Sequence, residues 1–346
     1  MSSVESIIRQ EILATGSISF ARFMEIALYC PKIGYYEGSS APVGRRGDYY
    51  TSVSVGPLFG ELLACQFADW LARSRPSADL IIEAGAHDGQ LAFDILTALR
   101  RDGPELDLRY GIVEPSGVRR DWQRAKLEVF AGQVTWFASL EEMPEVSGIL
   151  FSNELLDAMP AHVLRWREGQ WLEVKVSIAG DDLVWREGAL EQDVGQPVVP
   201  QELAPFIPDG YQIEASPAAR HWWQTAARKL VAGKLVTFDY GGRTEDLLSP
   251  HRQAGTLRAY HRHQVARDVL ANPGRQDLTA DVDFTEIERA GEGEGLRTEC
   301  FVSQEGFLGG IVPRIAGWNP ERVRQFQTLT HPDHLGRAFK VLVQSR

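Results

Sequence analysis

The sequence predicts an α/β fold in which a mostly parallel sheet is covered by helices on both faces. Short apolar runs recur along the chain, and each ends in acidic or other polar residues. Four such runs are DLIIEAG at 79–85, RYGIVEP at 109–115, SGILFSNE at 147–154 and KLVTFDYGG at 234–242. Helical patterns at 89–101 and 117–131 separate the first of them. This alternation is typical of βαβ units, whose ligands bind at the carboxyl ends of the strands.

The rest of the chain adds an N-terminal segment and two insertions to this core. Residues 4–14, 20–30 and 57–73 have helical patterns, and strands at 298–304 and 339–345 close the sheet. Apolar residues alternate in 160–215, which indicates antiparallel strands. We therefore expect N-terminal helices with an active-site loop at 1–75, a core at 76–159 and 216–346, an inserted β meander at 160–215, and an inserted substrate-side loop at 243–282.

Composition and charge narrow the class of protein. The 346 residues are 44% hydrophobic and 24% charged, as in an ordinary globular protein. The net charge of −11 and the absence of basic runs argue against nucleic acid or an anionic membrane as partner and favour a cationic ligand or a basic peptide. No apolar run approaches the ~20 residues of a membrane span.

The first residues of the sequence and the cysteines suggest a cellular location. The first residues, MSSVESIIRQEIL, resemble neither a secretory signal nor a transit peptide, so a bacterial cytoplasm is favoured over an organelle matrix. Three widely spaced cysteines with no CxxC pair indicate a reducing compartment and no metal site. The oligomeric state stays open, and a homodimer is compatible with the sequence.

The turn after the first strand of the core, EAGAHDG at 83–89, is a candidate cofactor site. A dinucleotide-binding turn has the pattern G-x-G-x-x-G, in which the second glycine lets the backbone approach a pyrophosphate. Gly85 and Gly89 are present, but His87 stands two residues after Gly85. Its Cβ should hinder pyrophosphate packing, so the turn suits a ligand without phosphate.

Acidic residues at the strand ends indicate which ligand this is. Glu114, followed by Pro115, ends the second strand, where a carboxylate can accept both hydroxyls of a ribose. Glu83 ends the first strand and could meet an amino group, and Ser139 and Leu140 could frame an adenine. A ligand with ribose, adenine and an amino-acid end but no phosphate is S-adenosylmethionine. Alternatively, Glu114 serves only as a helix cap.

Ten segments of the chain, in order from about residue 18 to 345, resemble the MidA/NDUFAF7 (DUF185) family of S-adenosylmethionine-dependent methyltransferases. They are ISFARFMEIALYCPKIGYYEG, GDYYTS, GPLFGELLA, IIEAGAHDGQL, GIVEPS, LFSNELLDAMPAHVL, IEASPAA, LVTFDYGG, GTLRAYHRH and PGRQDLTADVDFTEI. The resemblance implies a seven-stranded class I (Rossmann-like) methyltransferase core. It also implies methylation of arginine on a respiratory complex I subunit, or support of complex I assembly.

Three positions depart from the family pattern. The family usually has glycine where His87 stands, Pro-Glu where Val53 and Ser54 stand, and histidine where Asp281 stands. These changes lie in the cofactor turn and in the expected active-site loops. They leave open a branch of the family that acts on another nucleophile.

Acids after the fourth strand are the first candidates for catalysis. Methyl transfer is an in-line displacement, and a guanidinium needs carboxylates that orient it and localise electron density on one nitrogen. Glu154 and Asp157 would lie on one face if the chain turns helical at Glu154. Asn153 beside them is expected to contact the cofactor. The alternative is a helix N-terminus whose acids complement the helix dipole.

The tyrosine-rich loop offers a third catalytic candidate, Asp48. Tyr49 and Tyr50 follow it directly and could stack on a guanidinium or cover the cofactor. Asp48 could equally begin a turn without any role in catalysis.

The remaining substrate-side candidates are Asp239, Tyr240, His261, Asp281 and Asp283. Asp239 and Tyr240 end the fifth strand at the same edge of the sheet. His261, like His263, is more often a structural donor than a base. The two later acids resemble the substrate-side loop of the family, although Asp283 could equally cap a helix at 283–290.

Three functions are therefore compatible with the sequence. The first is methylation of a protein side chain, with arginine favoured and a protein or peptide as partner. The second is methylation of nitrogen or oxygen on a small molecule or peptide, which the three departures favour. The third is a cofactor-binding assembly factor with little catalysis, whose two insertions would serve as binding surfaces.

Overall fold

The structure, a computed structural model, describes residues 3–38, 51–74, 79–103, 108–192, 194–195, 197, 199–200, 202–261, 264–266 and 268–346. The helices are α1 (Val4–Thr15), α2 (Phe20–Tyr29), α3 (Leu58–Arg73), α4 (Gln90–Asp102), α5 (Gly117–Lys126), α6 (Pro217–Lys229), α7 (Thr244–Leu247), α8 (Phe284–Gly293), α9 (Gln304–Ile311), α10 (Pro320–Leu329) and α11 (Leu335–Ala338). The strands are β1 (Ile18–Ser19), β2 (Leu80–Ala84), β3 (Arg109–Val113), β4 (Val134–Phe137), β5 (Val146–Asn153), β6 (His162–Arg167), β7 (Gln170–Ala179), β8 (Asp182–Gly188), β9 (Gln212–Ala215), β10 (Leu230–Gly242), β11 (Arg258–His261), β12 (Gln264–Ala266), β13 (Asp277–Thr279), β14 (Val282–Asp283), β15 (Arg297–Ser303) and β16 (Phe339–Ser345).

The chain divides into two compact units, each built from three stretches of sequence. The first unit comprises Met1–Tyr49, Leu156–His221 and Gly241–Ile287. The second unit comprises Tyr50–Leu155, Trp222–Tyr240 and Glu288–Arg346.

The second unit contains the mixed sheet that the alternating pattern predicts. Its strand order is β15-β16-β10-β5-β2-β3-β4. The five strands from β10 to β4 are parallel, and β16 and β15 are antiparallel to their neighbours. The chain moves outward from β2 to β3 and β4, and then returns to the other side of β2 with β5. This reversal is the switch point at which open α/β sheets bind ligands.

The centre of this sheet is fully covered. In β5, Ile149, Leu150 and Phe151 are almost completely buried, and Ile81 and Ile82 in β2 are completely buried. Strands buried on both faces require continuous apolar runs rather than alternation, which explains the sequence pattern.

The first unit contains antiparallel sheets. One has the order β1-β7-β6-β9, with β8 also paired to β7. Its apolar face packs with Phe20, Phe23 and Met24 of α2 in one cluster of buried residues. The second is a three-stranded sheet of order β12-β11-β13. It lies in the segment 243–282, for which the sequence predicts only a polar loop.

Within the described residues, no helix is long and apolar enough to cross a membrane. The same part of the chain has no group of three or more His, Cys, Asp or Glu side chains that could hold a metal ion.

Candidate functional site

The turn after β2 is tight and has a left-handed backbone. Gly85, His87 and Gly89 all have positive φ, at 74°, 47° and 84°. The amide of Gly85 donates to the carbonyl of Val113 at 3.1 Å, which joins the turn to the end of β3. A Cβ on Gly85 would lie 2.9 Å from Cδ1 of Leu155. A side chain at Gly85 would therefore meet both an unfavourable left-handed backbone and the Leu155 side chain, so glycine is favoured at the start of the turn.

His87 occupies a left-handed position at which a side chain is strained. Its ring lies 6.4 Å from the ring of Trp122. Burial lowers the pKa of His87, and the nearby Arg119 and Lys126 act in the same direction, while Asp88 opposes them. The imidazole is therefore neutral near pH 7.

The carboxylate of Glu114 is oriented by two hydrogen bonds. The amide of Ser116 donates to Oε1 at 3.0 Å, and Nε2 of Gln123 donates to Oε2 at 3.3 Å. The same Gln123 amide donates to the carbonyl of His87 at 2.9 Å, so it links Glu114 to the glycine turn. A carboxylate has about four lone-pair sites, so it can also accept from two ribose hydroxyls. The strand-end acid and the phosphate-free turn thus fit an adenosyl ligand.

Glu83 lies within β2, two residues before Gly85, and only 3% of it is exposed. The hydroxyl of Tyr110 donates to its Oε2 at 2.6 Å. Burial raises the pKa of Glu83 to about 8. It is therefore mostly protonated at neutral pH and does not offer a full negative charge to an amino group.

The segment after β4 brings Ser139 and Leu140 to the same edge of the sheet. Leu140 is buried, and its carbonyl accepts from the amide of Met143 at 3.3 Å. Ser139 is half-buried in a bend. Pro115 is exposed and lies between Glu114 and Ser116, the N-cap of α5.

The condition that would place Glu154 and Asp157 on one helical face is not met. The segment after β5 consists of bends and turns, and Glu154 has φ 52°. The amide of Glu154 donates to the carbonyl of Phe238 at 2.9 Å, and the amide of Leu155 donates to Oδ2 of Asp239 at 3.1 Å. These two bonds hold the end of β5 against β10. In a helix the two amides would point along the helix axis and could not reach β10 in this way.

The polar side chains at the ends of β5 and β10 are closely engaged. Nδ2 of Asn153 donates to Oε1 of Glu154 at 3.0 Å. Asp239 is fully buried, and its Oδ1 also accepts from the amide of Tyr240 at 2.9 Å. The ring of Tyr240 packs 4.0 Å from that of Phe339. Asp239 and Tyr240 thus hold the strand ends in place.

Asp157 and Asp281 lie in the first unit, and both are buried. The carbonyl of Asp157 accepts from the amide of Ala280 at 2.9 Å. Asp281, where the family usually has histidine, forms ion pairs with Arg252 and with Arg258, the latter at 3.1 Å. The two arginines compensate the charge of Asp281.

Asp283 and His261 also belong to the first unit. Oδ1 of Asp283 accepts from the amide of Thr285 at 2.9 Å and from the amide of Glu286 at 3.4 Å, so the acid caps α8 as the alternative interpretation predicts. Nδ1 of His261 lies 2.7 Å from the carbonyl oxygen of Arg275, to which it donates. That bond is structural.

A tyrosine–aspartate cluster in the first unit is not among the residues that the sequence predicts. The hydroxyl of Tyr36 donates to Oδ1 of the fully buried Asp277 at 2.6 Å. The rings of Tyr29 and Tyr36 lie 5.5 Å apart. Burial and the charges of Asp277 and Asp157 raise the pKa of Tyr36 well above its usual range. The tyrosines and acids of this cluster are far apart in the sequence, so no local pattern predicts it. The one available signal was that they lie in segments that resemble the family.

Four predicted residues lie outside the part of the chain that the structure describes. They are Asp48, Tyr49, Tyr50 and His263.

Comparison with known proteins identifies the family. Residues 62–302 match the Methyltransf_28 family of S-adenosyl-L-methionine-dependent methyltransferases. A protein arginine methyltransferase NDUFAF7 homolog, mitochondrial, of Drosophila melanogaster is 27% identical over 97% of this chain and 83% of its own length. The mitochondrial protein arginine methyltransferase NDUFAF7 of Homo sapiens is 27% identical over 95% of this chain and 80% of its own length.

A solved structure agrees over almost the whole chain. A COG1565 superfamily member from Burkholderia thailandensis, bound to S-adenosyl-homocysteine, is 32% identical with a TM-score of 0.88. The match covers 99% of this chain and 92% of that one. The predicted resemblance, fold class and cofactor are confirmed: the chain belongs to the Methyltransf_28 family of enzymes, which use S-adenosyl-L-methionine as methyl donor.

Proposed function

We propose that this enzyme methylates an arginine side chain of a protein. Two relatives named protein arginine methyltransferase match 97% and 95% of the chain. Binding of the methyl donor is supported by one observation: the Gln123 amide donates both to Glu114 and to the carbonyl of His87. It joins a candidate ribose acceptor to a turn that suits a ligand without phosphate.

The cofactor is assigned to the carboxyl edge of β2, β3 and β4. Glu114 accepts the ribose hydroxyls, with Pro115 beside it, and Ser139 and Leu140 frame the adenine. The turn of Gly85, His87 and Gly89 and the amide of Asn153 complete the contacts. Glu83 stays a weaker candidate, because its protonated carboxyl can donate a hydrogen bond but supplies no charge.

A neutral His87 suits a cationic cofactor. S-adenosylmethionine supplies an electrophilic methyl group on a sulfonium when bound. A protonated imidazole in the cofactor turn would add a like charge, which disfavours binding of a cation. The burial that lowers the pKa of His87 therefore favours cofactor binding at neutral pH.

For the acceptor guanidinium, Glu154 and Asp157 stay the first candidates from the sequence, each considered by itself. A charge-assisted hydrogen bond to a carboxylate orients one nitrogen for in-line attack and localises electron density there. Asp48, Tyr49 and Tyr50 stay predictions from the sequence. The remaining substrate-side candidates also stay predictions: Asp239, Tyr240, His261, Asp281 and Asp283.

The partner is proposed to be a protein, and a respiratory complex I subunit is its finer candidate. Homodimerisation and a bacterial cytoplasmic location stay predictions. Size-exclusion chromatography with light scattering tests the first, and fluorescence imaging of a tagged chain in a bacterial host tests the second.

The proposal is tested by incubating the protein with methyl-labelled cofactor and purified complex I subunits, followed by mass spectrometry of arginine-containing peptides. We expect label on arginine, and we expect Glu154→Gln to lose transfer while it still binds S-adenosyl-homocysteine by calorimetry. Glu128→Gln, an exposed change in the same unit, is the control. Transfer to small acceptors but to no subunit would reject the protein-arginine assignment.

A further inference from the structure

The first unit contains a pocket of about 100 Å³ that is partly open to solvent. Leu156 and Met159, which follow β5 in the chain, form part of its wall. Other parts of the wall come from β9 with the residues that lead into α6, and from the segments 244–256 and 280–287.

The charged side chains that line this pocket are mainly acidic. The acids are Glu214, Asp281, Asp283 and Glu286. Among the described residues that line it, Arg220 is the only basic side chain, and it lies 3.9 Å from Oε2 of Glu286. An ion pair at that distance between partly exposed groups contributes little.

Two of these acids, Glu214 and Asp283, are half-buried and accept hydrogen bonds from neutral donors. The donors are Thr256 and Gln212 for Glu214, and Thr244 with two backbone amides for Asp283. Desolvation is the main cause that raises the pKa of both acids. A cation in the pocket would favour the charged forms of both acids, whereas an anion would disfavour them.

Most of the uncharged lining is apolar and suits an alkyl chain. Leu156, Met159 and Ile213 form part of it, together with Val282 and Ile287. Long basic side chains combine these two properties, since an aliphatic stem can lie along apolar surface while the charged head meets polar groups.

The size of the pocket suits a small group. An engineered cavity of ~150 Å³ takes one benzene. A pocket of about 100 Å³ that is partly open to solvent therefore accepts the end of one side chain.

We propose that this pocket binds one long basic side chain of the protein substrate. The inference rests on the proposed function, because it requires a protein substrate. It adds a recognition site whose specificity comes from the apolar walls and from Glu214, Asp283 and Glu286, since Asp281 is already paired with Arg252 and Arg258. Arginine and lysine share the required chemistry, and the test distinguishes them.

The probes are three fluorescein-labelled nonapeptides in which glycine alternates with arginine, lysine or citrulline. Binding to the full-length protein with S-adenosyl-homocysteine is measured by fluorescence anisotropy. Citrulline has the shape of arginine without its charge. We expect the citrulline peptide to bind at least tenfold more weakly than the arginine peptide, because hydrogen bonds to charged groups are the stronger kind. Lysine binding as tight as arginine would show recognition of charge, and weaker lysine binding would show recognition of the guanidinium.

Matched variants locate the site. Glu286→Lys places a positive charge in the pocket and should weaken the arginine peptide at least tenfold, and the milder Glu286→Gln should weaken it severalfold. Glu245→Lys makes the same charge change at an exposed position of α7 outside the lining, and should have less than a twofold effect. Ala215→Leu fills the pocket without a change of charge and should also weaken binding. Thermal melts confirm that each variant is folded.

Equal weakening by Glu286→Lys and Glu245→Lys, or citrulline binding as tight as arginine binding, would overturn the inference. These results are separate from the proposed function. Wild-type protein that transfers no methyl group to any protein refutes the function, whereas transfer that Glu286→Lys leaves intact refutes the pocket alone.

Discussion

Tyr110 on β3 donates its hydroxyl hydrogen bond to Oε2 of Glu83 on the neighbouring β2 at 2.6 Å, and both side chains are buried. Burial raises the pKa of Glu83 to about 8, although the Tyr110 hydroxyl acts in the opposite direction. A titratable acid thus lies inside the sheet directly before the glycine turn.

This pair should make folding stability depend on pH. Between about pH 4.5 and 8 the native carboxyl keeps a proton that the unfolded chain has lost, so the free energy of unfolding falls as pH rises, by up to about 1.4 kcal/mol per pH unit. Glu83→Gln should remove this contribution and be the more stable form at pH 8, relative to wild type. Urea denaturation from pH 5 to 8 measures it, with Glu128→Gln as control. Parallel curves for Glu83→Gln and wild type would show that Glu83 titrates normally.

Glu114→Gln should weaken binding of S-adenosyl-homocysteine by about 10- to 100-fold, because hydrogen bonds to a charged acceptor contribute ~1.5–3 kcal/mol. Isothermal titration calorimetry measures the affinity. Asp121→Asn on the exposed face of α5 should bind like wild type. Affinity within twofold of wild type for folded Glu114→Gln would remove Glu114 from the ribose site.

The free energy of unfolding of variants at His87 should depend on how well the new residue tolerates a left-handed backbone. His87→Val should lower the free energy of unfolding by about 1–3 kcal/mol, because a β-branched side chain is strained at φ 47°. His87→Gly removes that strain but also the contact with Trp122, so its stability should lie above that of His87→Val. Chemical denaturation compares the two. A valine variant as stable as the glycine variant would mean that the turn relaxes.

Gly148 and Gly233 are register partners on β5 and β10, and neither has space for a side chain. A Cβ would lie 2.0 Å from the Leu80 carbonyl oxygen at the first position and 1.9 Å from the Gly148 carbonyl oxygen at the second. Alanine at either should destabilise the protein by more than about 3 kcal/mol, since these are backbone atoms that cannot move aside.

Gly309→Ala is the control for this pair. Nothing lies within 4 Å of the position that the added methyl group would take in α9, and alanine favours helix, so stability should stay equal or rise by up to about 1 kcal/mol. Thermal denaturation measures all three variants. A small loss at Gly148 or Gly233, similar to the effect at Gly309, would show that the sheet can widen there.

The central strands and most helices could be predicted from the sequence. The segment 339–345 matches β16 at both ends, and 79–85 and 147–154 match β2 and β5 to within a residue. These strands are buried by helices on both faces, and that environment demands continuous apolar runs that are visible in any one segment. The backbone after β5 could not be predicted, because the amides of Glu154 and Leu155 bond to Phe238 and Asp239 of β10, a strand far away in sequence.

The amino-acid sequence by itself indicated three features: a sheet that binds a ligand at its carboxyl edge, a turn unsuited to phosphate, and a candidate acid for the ribose. Each of them depends on a few adjacent residues. Which side chains become partners was decided by the tertiary structure. Tyr110 meets Glu83 through the register of β2 and β3, and two arginines compensate Asp281. Such partners come from segments tens of residues apart, and only packing brings them within hydrogen-bond distance and sets whether an acid keeps its charge.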